Sequence, residues 1–281
     1  MADGHSLLGV CEGVDTVFHT ACASQETFAN GRGARGAFDA VNTQGTLTLA
    51  HEALRARVRR VVHLSSTAAV GVPEQDRVDE TTPCRPATPY GRSKRAAELG
   101  LAALFRERGL PVVILRPCLV AGEGKPGSEL TQLLKLVRWG VFPFPGGRAR
   151  QGKPLVHLDD LLNAVELAAA RGRPGEIYLI TSGRTYALED IVAVAGRLLK
   201  VRRTHIAVPM GPVVVAARVM DSLGRVLPVS FPLSRERLRF LLAHREFSID
   251  KARAELGYEP RVVDLEPMLA EVVCELTAGK R

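Results

Sequence analysis

The sequence predicts an α/β fold, a doubly wound parallel sheet followed by a smaller, mostly helical lobe. Short apolar runs of strand character alternate with amphipathic helical patterns as far as about residue 181, and helical patterns dominate beyond that point. Because strands and helices alternate, successive strands run parallel and the helices cover both faces of the sheet. The 281 residues, 46% of them hydrophobic, suffice for one large domain with a smaller lobe.

The first predicted unit is a strand, a helix and a second strand. Residues 6–12 read as the end of a helix, and a turn leads from them into an apolar run, Thr16 to Cys22, with strand character. Apolar residues at helical spacing predict a helix over 36–54. Residues 60–65 form the second strand, which is apolar enough to be buried on both faces.

A second unit follows a loop rich in proline, threonine and acidic residues, 71–89. A helix begins at Tyr90, runs to Arg108 and stops at Gly109, since glycine commonly ends helices. Residues 111–116 form the third strand.

The pattern then loosens before it becomes regular again. We predict a loop at 122–127, a helix at 130–139 and an irregular basic segment at 142–152. Residues 154–158 are the next strand, and Asp159-Asp160 is expected to supply the N-cap of the helix that follows through Ala170. Further predicted elements are a strand at 176–180 and helices at 188–199, 213–227, 235–242 and 250–258.

Charge and composition exclude several classes of protein. A net charge of +8 would suit an anionic ligand or a membrane surface, but the arginines are dispersed and only 5% of residues are aromatic, which argues against nucleic-acid binding. The longest apolar stretch, 208–220, is interrupted by proline, glycine and arginine, so we expect no transmembrane segment. No signal pattern opens the chain, and we expect a cytoplasmic protein.

Cysteine usage agrees with a reducing compartment. The cysteines form an odd, scattered set without a Cys-x-x-Cys pair, which argues against disulfides and against a structural zinc site. We predict no metal site. The five residues are Cys11, Cys22, Cys84, Cys118 and Cys274.

Tyr90 and Lys94 are candidate chemical groups, because residues four apart share one face of a helix. A tyrosine with a pKa near ~10 transfers protons poorly at neutral pH, and a fixed cation beside it favours the phenolate. Tyr90 could then act as a general acid or base. A Tyr-x-x-x-Lys pair by itself is more often a solvated surface pair, so its surroundings must decide.

The surroundings are the carboxyl ends of the predicted strands, where open α/β sheets bind ligands. Small or hydroxyl-bearing residues follow the first three strands at this edge: Ala21 and Cys22, then Ser65, Ser66 and Thr67, then Pro117 and Cys118. Ser66 alone would be an ordinary strand-end serine. One strand ahead of Tyr90 and Lys94, it completes a Ser, Tyr, Lys set able to transfer a proton to or from one substrate oxygen.

With these residues the chain resembles the extended short-chain dehydrogenases/reductases, also called the NAD-dependent epimerase/dehydratase family. The resemblance spans nearly the whole chain. It rests on these motifs in this order: Val17-Phe18-His19-Thr20-Ala21-Cys22, Val41-Asn42-Thr43-Gln44-Gly45-Thr46, Leu64-Ser65-Ser66, Tyr90-Gly91-Arg92-Ser93-Lys94, Leu115-Arg116-Pro117, Pro154-Leu155-Val156-His157-Leu158-Asp159-Asp160 and Ala254-Glu255-Leu256-Gly257-Tyr258-Glu259-Pro260.

The resemblance implies a role for each candidate residue. Tyr90 would be the catalytic acid/base, Lys94 would lower its pKa and hold the nicotinamide ribose, and Ser66 would orient the reacting oxygen. Residues 1–181 would be a truncated Rossmann-like dinucleotide-binding domain, with 127–153 contributing to the substrate side, and 182–281 a substrate lobe. The residues implied to line NAD or NADP are Ala21, Asn42, Ser65, Tyr90, Lys94, Pro117 and Cys118.

The chain departs from the family's pattern at its start. Such enzymes open with a strand, a glycine-rich turn and a helix that holds the pyrophosphate, and Gly31-Arg32-Gly33 and Gly122-Glu123-Gly124 read as loops instead. We therefore expect a shortened chain or a misassigned start, with roughly 60 residues upstream judged from the size of βαβ units. The edge at Val17 would otherwise need cover, for example from the partner in a homodimer. The residue that selects NAD or NADP would lie in the same absent segment.

Two substrate classes remain open, together with a non-catalytic alternative. Val70 before Gly71, and Arg116-Pro117 followed by Gly122, look more like the 3β-hydroxysteroid dehydrogenase branch and an apolar alcohol or ketone. Arg148, Arg150 and Lys153 could instead bind the pyrophosphate of a nucleotide sugar, the substrate of an epimerase or dehydratase. The shortened chain could also be a binding protein that has lost its dinucleotide site.

Overall fold

The computed structural model describes residues 7–23, 34–122, 129–145, 151–202, 204–226 and 244–278. The strands are β1 (Thr16–His19), β2 (Arg60–Leu64), β3 (Arg77–Val78), β4 (Val112–Pro117), β5 (Leu119–Ala121), β6 (Phe142–Pro145), β7 (Gly152–His157), β8 (Ile177–Ile180), β9 (Thr185–Ala187), β10 (His205–Val208) and β11 (Glu246–Phe247). The helices are α1 (Ala34–Phe38), α2 (Thr46–Arg55), α3 (Pro89–Arg108), α4 (Glu129–Arg138), α5 (Leu158–Arg171), α6 (Leu188–Leu198), α7 (Met210–Val226), α8 (Asp250–Leu256) and α9 (Leu265–Ala278). A π-helical segment (Asp39–Gly45) joins α1 to α2, and a 3₁₀ turn (Thr67–Ala69) follows β2.

A parallel sheet forms the centre of the fold, with strand order β1-β2-β4-β8. Side chains alternate between its faces because strands have a period of two. Val61, Val112 and Ile114 pack with residues of α2 and α3 on one face. Val62, Val113 and Leu115 pack with residues of α5 and α8 on the other. The predicted doubly wound α/β fold is confirmed.

Helix α3 begins and ends where the sequence predicts. Thr88 caps its N-terminus by accepting a hydrogen bond from the Gly91 amide at 3.0 Å, and Pro89 occupies the first helical position, where a missing amide proton costs nothing. Gly109 ends the helix in the left-handed conformation, with φ of 72°. These local signals fix the length of the helix that carries Tyr90.

A second apolar core lies beside the sheet. Leu130 and Leu134 of α4 pack there with Ile191 of α6 and Met268 of α9. A three-stranded β5-β7-β9 sheet and a β6-β10 pair accompany this core. Sequence patterns missed β3, β5, β6, β9, β10 and β11, because strands of two to four residues are too short to show a period. Helix α9 lies in the predicted helical lobe, but its bounds were not predicted. The predicted irregular segment at 142–152 in fact begins with β6.

Three local predictions are wrong. A 3₁₀ turn ends at Leu7, and residues 8–13 form turns rather than α-helix, with hydrogen bonds between residues three apart such as Val10 N to Leu7 O at 3.2 Å. The first strand stops at His19 rather than Cys22, and the helical run after it begins at Ala34. The predicted helix at 235–242 and most of the predicted loop at 122–127 lie outside the described residues, as does Gly31-Arg32-Gly33.

The N-cap of α5 is also corrected. His157 caps this helix, with its Nδ1 accepting from the Asp159 amide at 3.3 Å. Asp160 lies inside the first turn and is buried. Its carboxylate accepts hydrogen bonds from the amides of Arg261 and Val262, at 2.8 and 3.0 Å. A long-range contact therefore decides the role of this aspartate.

The segment around α8 returns to the central sheet. Gly257 adopts φ of 71° after α8, and the buried Tyr258 donates its hydroxyl proton to the Thr181 carbonyl at 3.0 Å. At the opposite edge of the sheet, β1 pairs with β2, and Phe18 remains 49% exposed. In the part of the chain that the structure describes, no helix is both long and apolar enough to cross a bilayer.

Candidate active site

Helix α3 turns one polar face towards the sheet, and Tyr90 and Lys94 lie on it. Lys94 is only 2% exposed, and its Nζ donates to the Leu64 carbonyl at 2.8 Å. The same Nζ lies 6.0 Å from the centroid of the Tyr90 ring. The pair is therefore not a solvated surface pair but lies at the end of β2.

A glycine allows α3 to approach the turn after β2. A Cβ at residue 91 would lie 2.4 Å from the Ala68 carbonyl oxygen, a distance that real side chains do not tolerate. Ser66 begins this turn, and its Oγ accepts from the Ala68 amide at 3.1 Å. Gly91 thus lets the N-terminus of α3, with Tyr90, pack against the turn that Ser66 opens.

Asn42 ties three segments together. It lies in the π-helical segment and is 1% exposed. Its Oδ1 accepts from the Ala23 amide at 2.7 Å, while its Nδ2 donates to the Ala23 carbonyl and to Ser93 Oγ, both at 3.0 Å. Ser93 Oγ in turn donates to the Tyr90 carbonyl at 2.8 Å. The loop after β1 is thereby held beside the helix that carries Tyr90.

The other predicted cofactor residues lie at the carboxyl ends of the strands. Ala21 and Cys22 are exposed after β1, whereas Pro117 and Cys118 are buried at the end of β4. Burial raises the pKa of the Cys118 thiol above its ordinary value, so this cysteine stays protonated. The Ser65 hydroxyl points elsewhere, since it donates to Glu98 Oε1 at 2.6 Å.

Glu98 and Arg116 form a buried ion pair that sequence reasoning missed. Arg116 Nε donates to Glu98 Oε1 at 2.8 Å and Nη2 to Oε2 at 2.7 Å, and both side chains are at most 1% exposed. Glu98 follows Lys94 by four residues, so it lies on the same helix face, and Arg116 interrupts an otherwise apolar strand. Those two signals could have revealed the pair.

A pair of buried histidines was missed as well. The β1-β2 register sets His19 opposite His63, and their ring centroids are 5.1 Å apart. Burial, reinforced by the charge of Lys94, lowers the pKa of His19 to about 4. Burial also lowers the pKa of His63 well below its usual value, with Lys94 and His19 adding to the effect. Both imidazoles are therefore neutral at physiological pH.

Among the described residues, no group of three or more histidine, cysteine, aspartate or glutamate side chains could hold a metal ion. The candidate site that the sequence predicts contains a tyrosine, a lysine, a serine and an amide, which the structure places near the carboxyl ends of β1 and β2. Such a set can bind polar oxygens and transfer protons.

Several known proteins are similar to this chain in sequence. A ketoreductase of Stigmatella aurantiaca that acts on a farnesylated dihydroquinoline oxide is 30% identical over 89% of this chain and 74% of its own length. Sterol demethylase protein B of Methylococcus capsulatus is 32% identical over 92% of this chain and 78% of its own. This chain spans 64% to 78% of the length of the first four curated relatives that it matches.

A solved structure and a family model agree with these relatives. The dTDP-glucose 4,6-dehydratase DesIV of Streptomyces venezuelae, with NAD and TYD bound, superposes with a TM-score of 0.77 and 26% identity over 99% of this chain and 78% of the other. The model of the NAD dependent epimerase/dehydratase family matches residues 1–181, more than half of the chain. The chain belongs to the NAD-dependent epimerase/dehydratase family.

Proposed function

We propose that this chain is an NAD(P)-dependent oxidoreductase that interconverts a secondary alcohol and a ketone on an apolar, 3β-hydroxysteroid-like substrate. The observation that carries the proposal is the burial of Lys94 beside Tyr90 at the end of β2. The names of the farnesyl-dihydroquinoline ketoreductase and the sterol demethylase protein favour the apolar class, since both point to large apolar molecules.

Tyr90 is the proton-transfer group in this proposal. A buried ammonium 6.0 Å from the ring centroid stabilises the phenolate, because opposite charges attract strongly where water is excluded. The phenolate accepts the hydroxyl proton when an alcohol is oxidised, and the phenol returns it when a ketone is reduced. Ser66 Oγ accepts from the Ala68 amide, so its own proton can be donated to the reacting oxygen.

The described residues fit the nicotinamide half of a dinucleotide. Ala21 follows β1 and Pro117 ends β4, the two strands on either side of β2, and a flat ring needs small residues to pass the strand ends. We infer that these residues, with Asn42, Cys118, Tyr90 and Lys94, would hold NAD or NADP. The Ser65 hydroxyl is bonded to Glu98, so we do not include it among the groups that would contact the cofactor. When bound, that cofactor supplies the hydride acceptor or donor.

Replacement of Tyr90 by phenylalanine tests the proposal. We expect Tyr90→Phe still to bind NADH, as measured by fluorescence titration. Its turnover should fall about 10²–10⁴-fold, which is the usual contribution of general acid–base catalysis. Tyr178→Phe is the matched control. Tyr178 lies on β8, its hydroxyl donates to Glu255 at 2.7 Å, and it has no part in the proposed chemistry. Retained turnover in Tyr90→Phe would refute the role of this residue. Wild-type protein that binds no NADH would favour the non-catalytic binding protein.

A nucleotide-sugar epimerase or dehydratase is the second candidate, favoured by the likeness to DesIV. Lys153 lies in β7 and could contact a pyrophosphate, while Arg148 and Arg150 lie outside the described residues. A substrate screen separates the two candidates: cofactor reduction with hydrophobic 3β-alcohols is expected, and turnover of UDP-hexoses alone would reverse the ranking.

A further inference from the structure

A chain of hydrogen bonds runs from β1 into the π-helical segment, and its proton positions can be assigned. His19 Nε2 lies 2.8 Å from Thr46 Oγ1, and Thr46 Oγ1 lies 2.7 Å from the Asn42 carbonyl oxygen. A carbonyl oxygen only accepts, so the single hydroxyl proton of Thr46 goes to Asn42. His19 must then donate from Nε2, which fixes the tautomer of this buried, neutral imidazole.

This chain of hydrogen bonds ends at Asn42, the residue that holds the loop after β1. Thr46 bonds the main chain of Asn42 in a segment with the widened π-helical turn, a feature that often marks functional positions. The Asn42 side chain accepts from the Ala23 amide and donates to the Ala23 carbonyl and to Ser93 Oγ. Ser93 Oγ donates to the Tyr90 carbonyl. The bonds of His19, Thr46 and Asn42 join buried groups, where an unmade bond is costly, and the Ser93–Tyr90 bond is partly buried.

His63 provides a contrast within the same cluster. It lies opposite His19 at the same level of the sheet and is 1% exposed, but neither of its ring nitrogens has a hydrogen-bond partner among the described residues. Lys94 influences both rings through its charge. Of the two histidines, His19 is therefore the one linked to the proposed site by hydrogen bonds.

We propose that His19 and Thr46 are positioning residues that set Asn42, and through it the loop after β1, against the helix that carries Tyr90. The proposal rests on the proposed function for its kinetic consequence, because the loop is the one expected to meet the cofactor. The hydrogen-bond chain itself can be measured without any substrate.

The first measurement is amide hydrogen exchange by NMR on the free, complete protein. Loss of the His19 donor in His19→Leu, or of the hydroxyl in Thr46→Val, is expected to speed exchange of the Ala23 amide about five- to tenfold, because the Asn42 side chain that accepts from it is no longer fixed. His19→Gln and Thr46→Ser keep a donor at the same place and are expected to restore slow exchange. The Ser65 amide, which bonds Leu115 within the sheet, serves as internal reference.

His63→Leu is the matched control, since it also replaces a buried imidazole but removes no hydrogen bond. Equal acceleration of Ala23 exchange in His63→Leu and His19→Leu, or unchanged exchange in both His19→Leu and Thr46→Val, would overturn the proposal.

The second measurement is kinetic, and it separates the two hypotheses. His19→Leu and Thr46→Val are expected to raise KM for the dinucleotide about fivefold, with little change in KM for the second substrate, and His19→Gln to reverse the rise. If Ala23 exchange responds as expected while no variant or wild-type protein turns over, the positioning role stands and the oxidoreductase function falls.

Discussion

Lys94 and Glu98 lie one turn apart on α3 and are both nearly inaccessible to solvent, yet the protein surrounds them differently. Glu98 receives two hydrogen bonds from Arg116 and one from the Ser65 hydroxyl, and Arg95 lies 3.0 Å away. Lys94 donates to the Leu64 carbonyl and lies near two imidazoles that burial keeps neutral. The Glu98 carboxylate meets an opposite charge in bidentate geometry, whereas the Lys94 ammonium donates to a main-chain carbonyl.

The difference separates a structural charge from one that can act on its neighbours. The two parallel hydrogen bonds between this guanidinium and carboxylate fix the distance between α3 and β4. The charge of Lys94, in contrast, contributes to lowering the pKa values of both His19 and His63. A field that reaches these rings reaches Tyr90 as well, since Nζ lies 6.0 Å from its centroid.

Breaking the Glu98–Arg116 pair is expected to have the largest effect. Arg116→Met leaves a buried carboxylate without its main partner, so we expect the free energy of unfolding to fall by about 3–5 kcal/mol. Urea denaturation measures the loss. Replacing both partners in Glu98→Leu/Arg116→Met should recover most of it, because no charge is then left buried alone. A loss below about 1 kcal/mol in Arg116→Met would mean that the pair behaves as a surface salt bridge.

Lys94→Met should affect turnover more than stability. Methionine fills a similar volume and removes a buried charge, but the Leu64 carbonyl loses its hydrogen bond from Nζ, so we expect the free energy of unfolding to fall by about 1–3 kcal/mol. Turnover should fall about 10²–10³-fold, because the phenolate of Tyr90 loses its cation. Parallel measurements of kcat and of urea unfolding test the contrast with Arg116→Met. A loss of stability as large as that of Arg116→Met would show that Lys94, like Glu98, mainly stabilises the fold.

The pH dependence of the free energy of unfolding should reflect the two buried histidines, His19 and His63. His19 has a pKa of about 4 in the folded protein, below its ordinary value of 6.5, so the unfolded chain binds protons first as pH falls. Its contribution is therefore present above pH 6.5 and is lost progressively down to about pH 4, roughly 3 kcal/mol in total. His63 shifts in the same direction and adds to the loss.

Urea midpoints between pH 7 and pH 4 test this slope. A His19→Leu/His63→Leu variant should show a shallower decline than wild type. Equal slopes in the two proteins would contradict neutral, buried imidazoles.

Gly91→Ala should give the smallest effect of the series. The added Cβ would meet the Ala68 carbonyl, so α3 must shift, at a cost of about 1–3 kcal/mol. Gly36→Ala is the control, because a Cβ there meets no atom of the described residues within 4 Å and alanine favours a helix. Thermal unfolding and turnover of both variants decide the matter; a Gly91→Ala protein as stable and active as Gly36→Ala would mean that the close approach is unnecessary.

Local signals determined the main elements and part of the site. Thr88, Pro89 and Gly109 are a cap, a helix start and a helix stop within one stretch, so the bounds of α3 were readable. The four-residue spacing of Tyr90 and Lys94 required no tertiary knowledge to set them on one face. The alternation of apolar strands and helices likewise predicted the doubly wound sheet. The division at residue 181 and the roles of Ser66, Tyr90 and Lys94 stay predictions.

Tertiary structure alone decided which polar groups meet. Ser65 donates to Glu98, 33 residues away, and Asn42 bonds Ser93, 51 residues away. Asp160 binds the amides of Arg261 and Val262 instead of capping its own helix. Each buried donor takes the acceptor that packing brings within reach, and that choice depends on strand register and helix position. The sequence shows which polar groups are available, while the packing of distant segments selects their partners.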